Sequence, residues 1–131
     1  MLKSYFMKYK VIVETSPADA PQIHEMRAAL IMANYFECDV YFLRPERYKT
    51  PDLLVKGVKW EIKSPTGNGK KTIDNNLRAA SGQSENVVLD LARIKMNHNK
   101  VLARVRFYLK TDRKIKHLKI IEKSGKVLDI C

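Results

Sequence analysis

A chain of 131 residues, 45% hydrophobic and 30% charged, has the length for one globular domain with a modest core, spanning residues 1–131. Lys and Arg number 25 against 14 Asp and Glu, a formal net charge of +11 at pH 7. Cys38 and Cys131 are too few for a disulfide framework and too isolated for a zinc site, the longest uncharged run (Ala28 to Phe36) is far too short to span a bilayer, and lysines at 3, 8 and 10 interrupt any signal-peptide core, so a soluble chain is expected.

Lys8 to Glu14 (KYKVIVE) is short and β-rich and predicts an edge strand. Turn material from Thr15 to Pro21 follows, and Pro21 suits a first helical turn, where its missing N–H costs nothing. From Gln22 to Phe36 the apolar Ile23, Met26, Ala29, Leu30 and Ala33 recur at three- and four-residue steps, the period of an amphipathic helix. Glu25 lies on the flank of that stripe, one turn from Ala29. Cys38 to Leu43 predicts the next strand, and Arg44 to Thr50 a polar loop.

Pro51 to Lys63 predicts a tight hairpin turning at Lys56-Gly57. Asp52 opens its first strand, and Glu61 and Lys63 stand near the end of its second. Strand side chains alternate, so Glu61 and Lys63 share one face while Val58, Trp60 and Ile62 take the other. Ser64 to Lys71 is a basic, turn-rich loop. Thr72 is expected to cap a helix running to about Ser84 that buries Ile73, Leu77 and Ala80 and turns Asn75, Asn76, Arg78 and Gln83 elsewhere. The apolar run Asn86 to Leu91 reads as a central strand buried on both sides.

Asn97 to Lys110 puts Val101, Leu102, Val105 and Leu109 on one helical face, although Val105, Phe107 and Leu109 also alternate with Arg104, Arg106 and Lys110 as in a strand; the helix is favoured. Lys116 to Glu122 and Lys126 to Ile130 complete a hairpin around Ser124-Gly125. The expected architecture is an α/β sandwich with a mixed sheet.

The positive excess is concentrated: from Arg93 to Lys126 twelve basic residues face only Asp112 and Glu122. Such clustering implies an acidic partner, most commonly a nucleic-acid backbone, against the alternatives of a solvated basic face or an acidic protein. The hairpin supplies chemistry to match. Mg²⁺ takes hard oxygen ligands, usually one or two carboxylates with water and phosphate. Asp52 and Glu61 on neighbouring strands are placed to share one ion, with the Ile62 carbonyl as a third oxygen. Lys63, on the face of Glu61, is placed to hold a water or to neutralise charge developing on phosphorus.

Pro51-Asp52 followed by Glu61-Ile62-Lys63 resembles the PD-(D/E)XK nuclease signature. The longer string of Pro51-Asp52-Leu53-Leu54, Gly57, Glu61 to Thr66, Asn75 to Arg78, Gln83-Ser84 and Asn86 to Leu91 is similar to the C-terminal tRNA-nuclease toxin domains of contact-dependent growth inhibition proteins. That resemblance covers about Glu25 to Ile130. It implies a restriction-endonuclease-like core ordered α-β-β-β-α-β, with a strand before it and a helix and hairpin after. It also implies a divalent-metal nuclease (Mg²⁺, with Mn²⁺ or Zn²⁺ as alternatives) in which Asp52 and Glu61 are metal ligands, Lys63 the catalytic lysine and Glu25 the ancillary acid. Asn75, Arg78 and Gln83 match polar substrate-facing positions, and Thr66, Arg104 and Lys116 are further candidate substrate contacts. Such domains are toxins neutralised by a cognate immunity protein and act in the bacterial cytoplasm; a free-standing reading frame or a domain of a larger exported protein both fit. The alternatives are a DNA endonuclease of a mobile element or defence system, and a catalytically silent nucleic-acid-binding module. Gly67 to Thr72 fails as a P-loop, because Lys70 stands where glycine should precede Lys71. A metal-free ribonuclease would need paired histidines, and His24, His98 and His117 are scattered, with His117 in the basic hairpin.

Overall fold

A computed structural model describes residues 8–43 and 53–131. The whole of the loop expected after the second strand, Arg44 to Thr50, lies outside those residues, together with Pro51 and Asp52. The chain divides into two compact units, Met1–Lys59 and Trp60–Cys131.

In the first unit, β1 (Val11–Val13) pairs in parallel with β2 (Val40–Phe42), so the segment between them must cross over, and α1 (Ile23–Phe36) makes that crossing. β2 then pairs antiparallel with β3 (Leu53–Val55). Gln22 caps α1 in a reciprocal capping box with Glu25. At the other end Glu37 adopts a left-handed φ of 55°, and the N–H groups of Glu37 and Cys38 return to the carbonyls of Asn34 and Ala33, closing the helix. The buried face is Ala28, Ala29, Met32 and Ala33, mostly small residues that let the helix axis approach its neighbours. Ile23, expected on the apolar stripe, is 90% exposed, because it is the first helical residue and precedes the buried run by more than a turn.

β3 turns into β4 (Val58–Lys63) at Lys56 and Gly57, whose φ values of 49° and 80° are the pair of left-handed residues that a two-residue hairpin requires. In the second unit β4 and β5 (Asn86–Asp90) are parallel, connected by α2 (Thr72–Ser81). β5 and β6 (His117–Ile121) are parallel, connected by α3 (His98–Thr111), and β7 (Val127–Asp129) closes antiparallel on β6. Strand order follows the chain within each unit. The element order from α1 through β5, with β1 before it and α3 and a hairpin after it, is the mixed α/β arrangement the sequence predicts.

The core of the second unit joins Val87 and Leu89 of β5 and Leu118 and Ile120 of β6 to Ile73, Leu77 and Ala80 of α2 and Val101, Val105 and Tyr108 of α3. Both helices therefore pack on one sheet face. Both ends of α2 differ from expectation, and the helix stops at Ser81 rather than at about Ser84. Lys71 is the N-cap of α2, because its carbonyl accepts the first intrahelical bond, from the Asn75 N–H at 2.8 Å, and Thr72 is the first helical residue, with no side-chain cap. The Asn97 to Lys110 segment is helical, as favoured, because Asn97 caps it by accepting the N–H groups of Asn99 and Lys100.

Candidate active site

β4 ends on Glu61-Ile62-Lys63, and its register with β5 sets Glu61 beside Val87, Ile62 beside Val88 and Lys63 beside Leu89. Paired residues of parallel strands share a face, so Glu61 and Lys63 lie on the side that packs against α2 and α3, as the alternation predicts. Glu61 is 1% exposed, and Lys63 Nζ stands 3.4 Å from its Oε2. Burying a carboxylate costs several kcal/mol, of order of the gain from one good ion pair. An apolar residue would serve packing better at this position, which marks the pair as a candidate for chemistry. The side chain of Ile62 takes the opposite face, leaving only its main chain to contribute.

Glu61 provides one hard, buried oxygen ligand with a cation beside it, which fits one arm of a divalent-metal site of the Mg²⁺ kind. Asp52, the expected second carboxylate, is outside the described residues. Among the described residues no three His, Cys, Asp or Glu side chains gather as a metal cluster. Glu25 belongs to the first unit, where its Oε1 accepts the Gln22 N–H at 2.8 Å, so its carboxylate secures the start of α1.

On α2, Asn75 and Arg78 are exposed one turn apart, and Arg78 Nη1 donates to Asn75 Oδ1 at 3.3 Å. Gln83 is exposed just beyond the helix, and Thr66 is exposed in the loop before it. Arg104 has a structural partner that no sequence pattern announced. Its Nε and Nη2 grip the two oxygens of Asp74 at 2.8 and 2.6 Å, and its guanidinium lies 4.7 Å over the Phe107 ring. Those hydrogen bonds hold the Asp74 carboxyl below its ordinary value and raise the arginine further. Lys116 is exposed near the C-terminal end of α3, in a depression shared with Lys110 and Arg113, away from the groove that Arg104 lines. The histidines stand in separate settings: His98 Nε2 faces Glu122 at 3.2 Å, His117 is exposed at the start of β6, and His24 belongs to the first unit.

The structure thus brings Glu61 to Lys63 and Asn75 to Arg78, and it adds a polar joint that the sequence reading missed. Asp90, fully buried at the end of β5, accepts the Ala92 N–H at 3.0 Å on Oδ1 and the Ser64 hydroxyl at 3.4 Å on Oδ2. Arg93 Nη2 donates to the Ser64 carbonyl at 2.7 Å. These bonds tie the carboxyl ends of the parallel strands β4 and β5, the end at which open α/β sheets place their ligands. An acid ending an apolar strand was visible in the sequence; its partner was not.

No helix among the described residues is long and apolar enough to cross a membrane. The contact-dependent growth inhibition CdiA C-terminal domain family matches residues 49–127. A chain of the CdiA-CT/CdiI toxin and immunity complex from Burkholderia pseudomallei has a similar fold, with a TM-score of 0.66 and 21% identity over 90% of this chain and 97% of that one. A search of curated proteins finds no match.

Proposed function

The chain belongs to the contact-dependent growth inhibition CdiA C-terminal domain family, which makes it a toxin domain, and we propose that its toxic act is divalent-metal-dependent hydrolysis of phosphodiester bonds in RNA, with tRNA the favoured substrate. The observation that carries this is the 1%-exposed Glu61 with Lys63 Nζ at 3.4 Å, on β4, the second strand after Asp52 in the chain. Glu61, Asp52 and the Ile62 carbonyl would hold the ion, with Mn²⁺ or Zn²⁺ as alternatives to Mg²⁺. When bound, the ion supplies a water of lowered pKa and charge stabilisation for pentacoordinate phosphorus.

The residues of the chain do the rest. Lys63, at the end of β4 and partly exposed, orients the attacking water or neutralises the phosphoryl oxygens as charge grows there. The packing of Val87 and Leu89 beside Glu61 and Lys63 keeps bulk water from the inner side of the strand, where charge pairs act more strongly. Asn75, Arg78, Gln83 and Thr66 supply hydrogen bonds to substrate. This intact Glu61–Lys63 pair argues against a silent binding module. The similar fold in a toxin and immunity complex supports a cognate immunity protein as partner. The proposed place of action is the bacterial cytoplasm, reached as part of a larger exported protein.

The test is incubation of purified protein with tRNA, other RNA and duplex DNA, each with Mg²⁺ and with EDTA. Cleavage of tRNA in the Mg²⁺ arm alone is expected. Cutting in EDTA would transfer the chemistry to His117 and the RNA 2′-hydroxyl, and cutting of duplex DNA alone would favour the endonuclease of a mobile element or defence system.

A further inference from the structure

An open groove of about 590 Å³ lies in the second unit between the loop preceding α2 and the start of α3. Its walls carry Lys70, Lys71, Lys95, Lys100 and Arg104, with Asn97 at the start of α3, and no acidic or aromatic side chain lines it. Arg104 is already engaged by Asp74. The four lysines are exposed, and none makes an ion pair with a described residue. Four unneutralised cations around one concavity repel each other, so the arrangement is not one that stability selects.

Two further observations point to an anion. The first turn of α3 carries no acid, although the positive end of a helix dipole favours one; His98 and Lys100 stand there instead. The groove is also held in shape by the backbone. The Gly67 carbonyl accepts the Lys95 N–H at 3.3 Å, tying one wall to the other. A Cβ at Gly67 would come within 2.9 Å of Thr72 Oγ1, so the loop passes close against the Thr72 side chain, which a larger residue would have to displace. The cations are presented by a preformed surface, which spares a ligand the cost of ordering it.

We propose that this groove binds the phosphate backbone of the nucleic acid through Lys70, Lys71, Lys95 and Lys100, apart from the residues that carry the chemistry. Without aromatic or acidic lining it contacts phosphates without reading bases, and it sets the register in which a strand is presented. The assignment rests on the nucleic-acid reading of the active site and extends it to a surface in which only Arg104 had been a candidate contact.

The experiment is fluorescence anisotropy of the full chain with a fluorescein-labelled single-stranded RNA and with unfractionated tRNA, in EDTA, across a salt series. The Lys70→Gln, Lys71→Gln, Lys95→Gln, Lys100→Gln variant should bind the single strand about tenfold or more weakly at 0.1 M salt, with the slope of log affinity against log salt shallower by about 3, as expected for four lost phosphate contacts. A control replacing Lys8, Lys10, Lys56 and Lys126 by Gln removes the same charge elsewhere and should leave most of the slope in place. Thermal melts establish that both variants fold; the two half-variants, Lys70/Lys71 and Lys95/Lys100, should each lose about half the slope. Unchanged RNA affinity in the groove variant, or equal losses in groove and control, overturns the proposal and leaves the groove to an acidic protein or to solvent. Cleavage is scored separately with Mg²⁺. Groove-dependent binding without any cleavage would sink the nuclease reading and leave the groove standing; cleavage by a groove variant of wild-type affinity would do the reverse.

Discussion

Glu61 decides the residue scale, because its burial makes function and stability pull in opposite directions. Glu61→Gln keeps the volume and removes the charge, and burying an amide costs less than burying a carboxylate. Its thermal midpoint should therefore be at or above that of the parent, while cleavage falls by about 10²-fold or more, the scale on which removal of one electrostatic element is felt. A lowered midpoint with retained activity would mean that the pair is structural. Lys63→Met is not symmetrical with it: the Glu61 carboxylate is left buried without the cation at 3.4 Å, so both midpoint and activity should fall. Strand alternation made the shared face of these two residues legible in the sequence. Their burial was not legible, because it depends on β5 setting Val87 and Leu89 beside them. Arg104 shows the same limit. Periodicity placed it beside an apolar stripe, but its partner Asp74 is thirty residues upstream on another helix, and Ser64 and Asp90 are separated by 26.

At the scale of elements, α2 and α3 are fastened by the Asp74–Arg104 fork, and that fastening has a defined pH dependence. Arg104 holds the Asp74 carboxyl below its ordinary 3.8, so the folded state binds that proton less readily than the unfolded chain. The stabilisation is complete above the unfolded value and is lost as pH falls through the lower folded one. The difference in urea midpoint between the parent and Asp74→Asn should be constant from neutrality down to about pH 5 and shrink below about pH 4. A gap unchanged with pH would show that the fork does not shift the titration. Asp112, also held low by the Tyr108 hydroxyl, is common to both proteins and drops out of the comparison. The loop before α2 makes a second case. Gly67→Ala forces a methyl toward Thr72 Oγ1, so its midpoint should fall, and the Gly67→Ala, Thr72→Ala double variant should recover most of the loss; failure to recover would locate the strain elsewhere. Elements with a local signal were readable from sequence: the Lys56-Gly57 turn, the apolar run of β5, the helical spacing of Val101, Leu102, Val105 and Leu109 in α3. Ile23 was misplaced because periodicity describes a stripe but not where along it the neighbouring layer ends.

For the whole molecule the governing quantity is charge, +11 in total with twelve basic residues between Arg93 and Lys126. A polyanion is drawn to such a surface by counterion release, a force that depends steeply on salt, whereas the phosphodiester cleavage proposed at Glu61 and Lys63 would take place where small ions screen less. Capture and chemistry should therefore separate in steady-state kinetics on tRNA. If about six phosphates are contacted, kcat/KM should drop by about 10³ between 50 and 200 mM salt, the scale found for that number of contacts, while kcat at saturating substrate changes little. The groove lysines and Lys116 should affect the first quantity and Glu61 and Lys63 the second, because kcat/KM begins from free protein and kcat from the bound complex. Equal salt sensitivity in both would mean that the ions act on the bond-breaking step itself, and the division of labour between the basic surface and β4 would have to be given up.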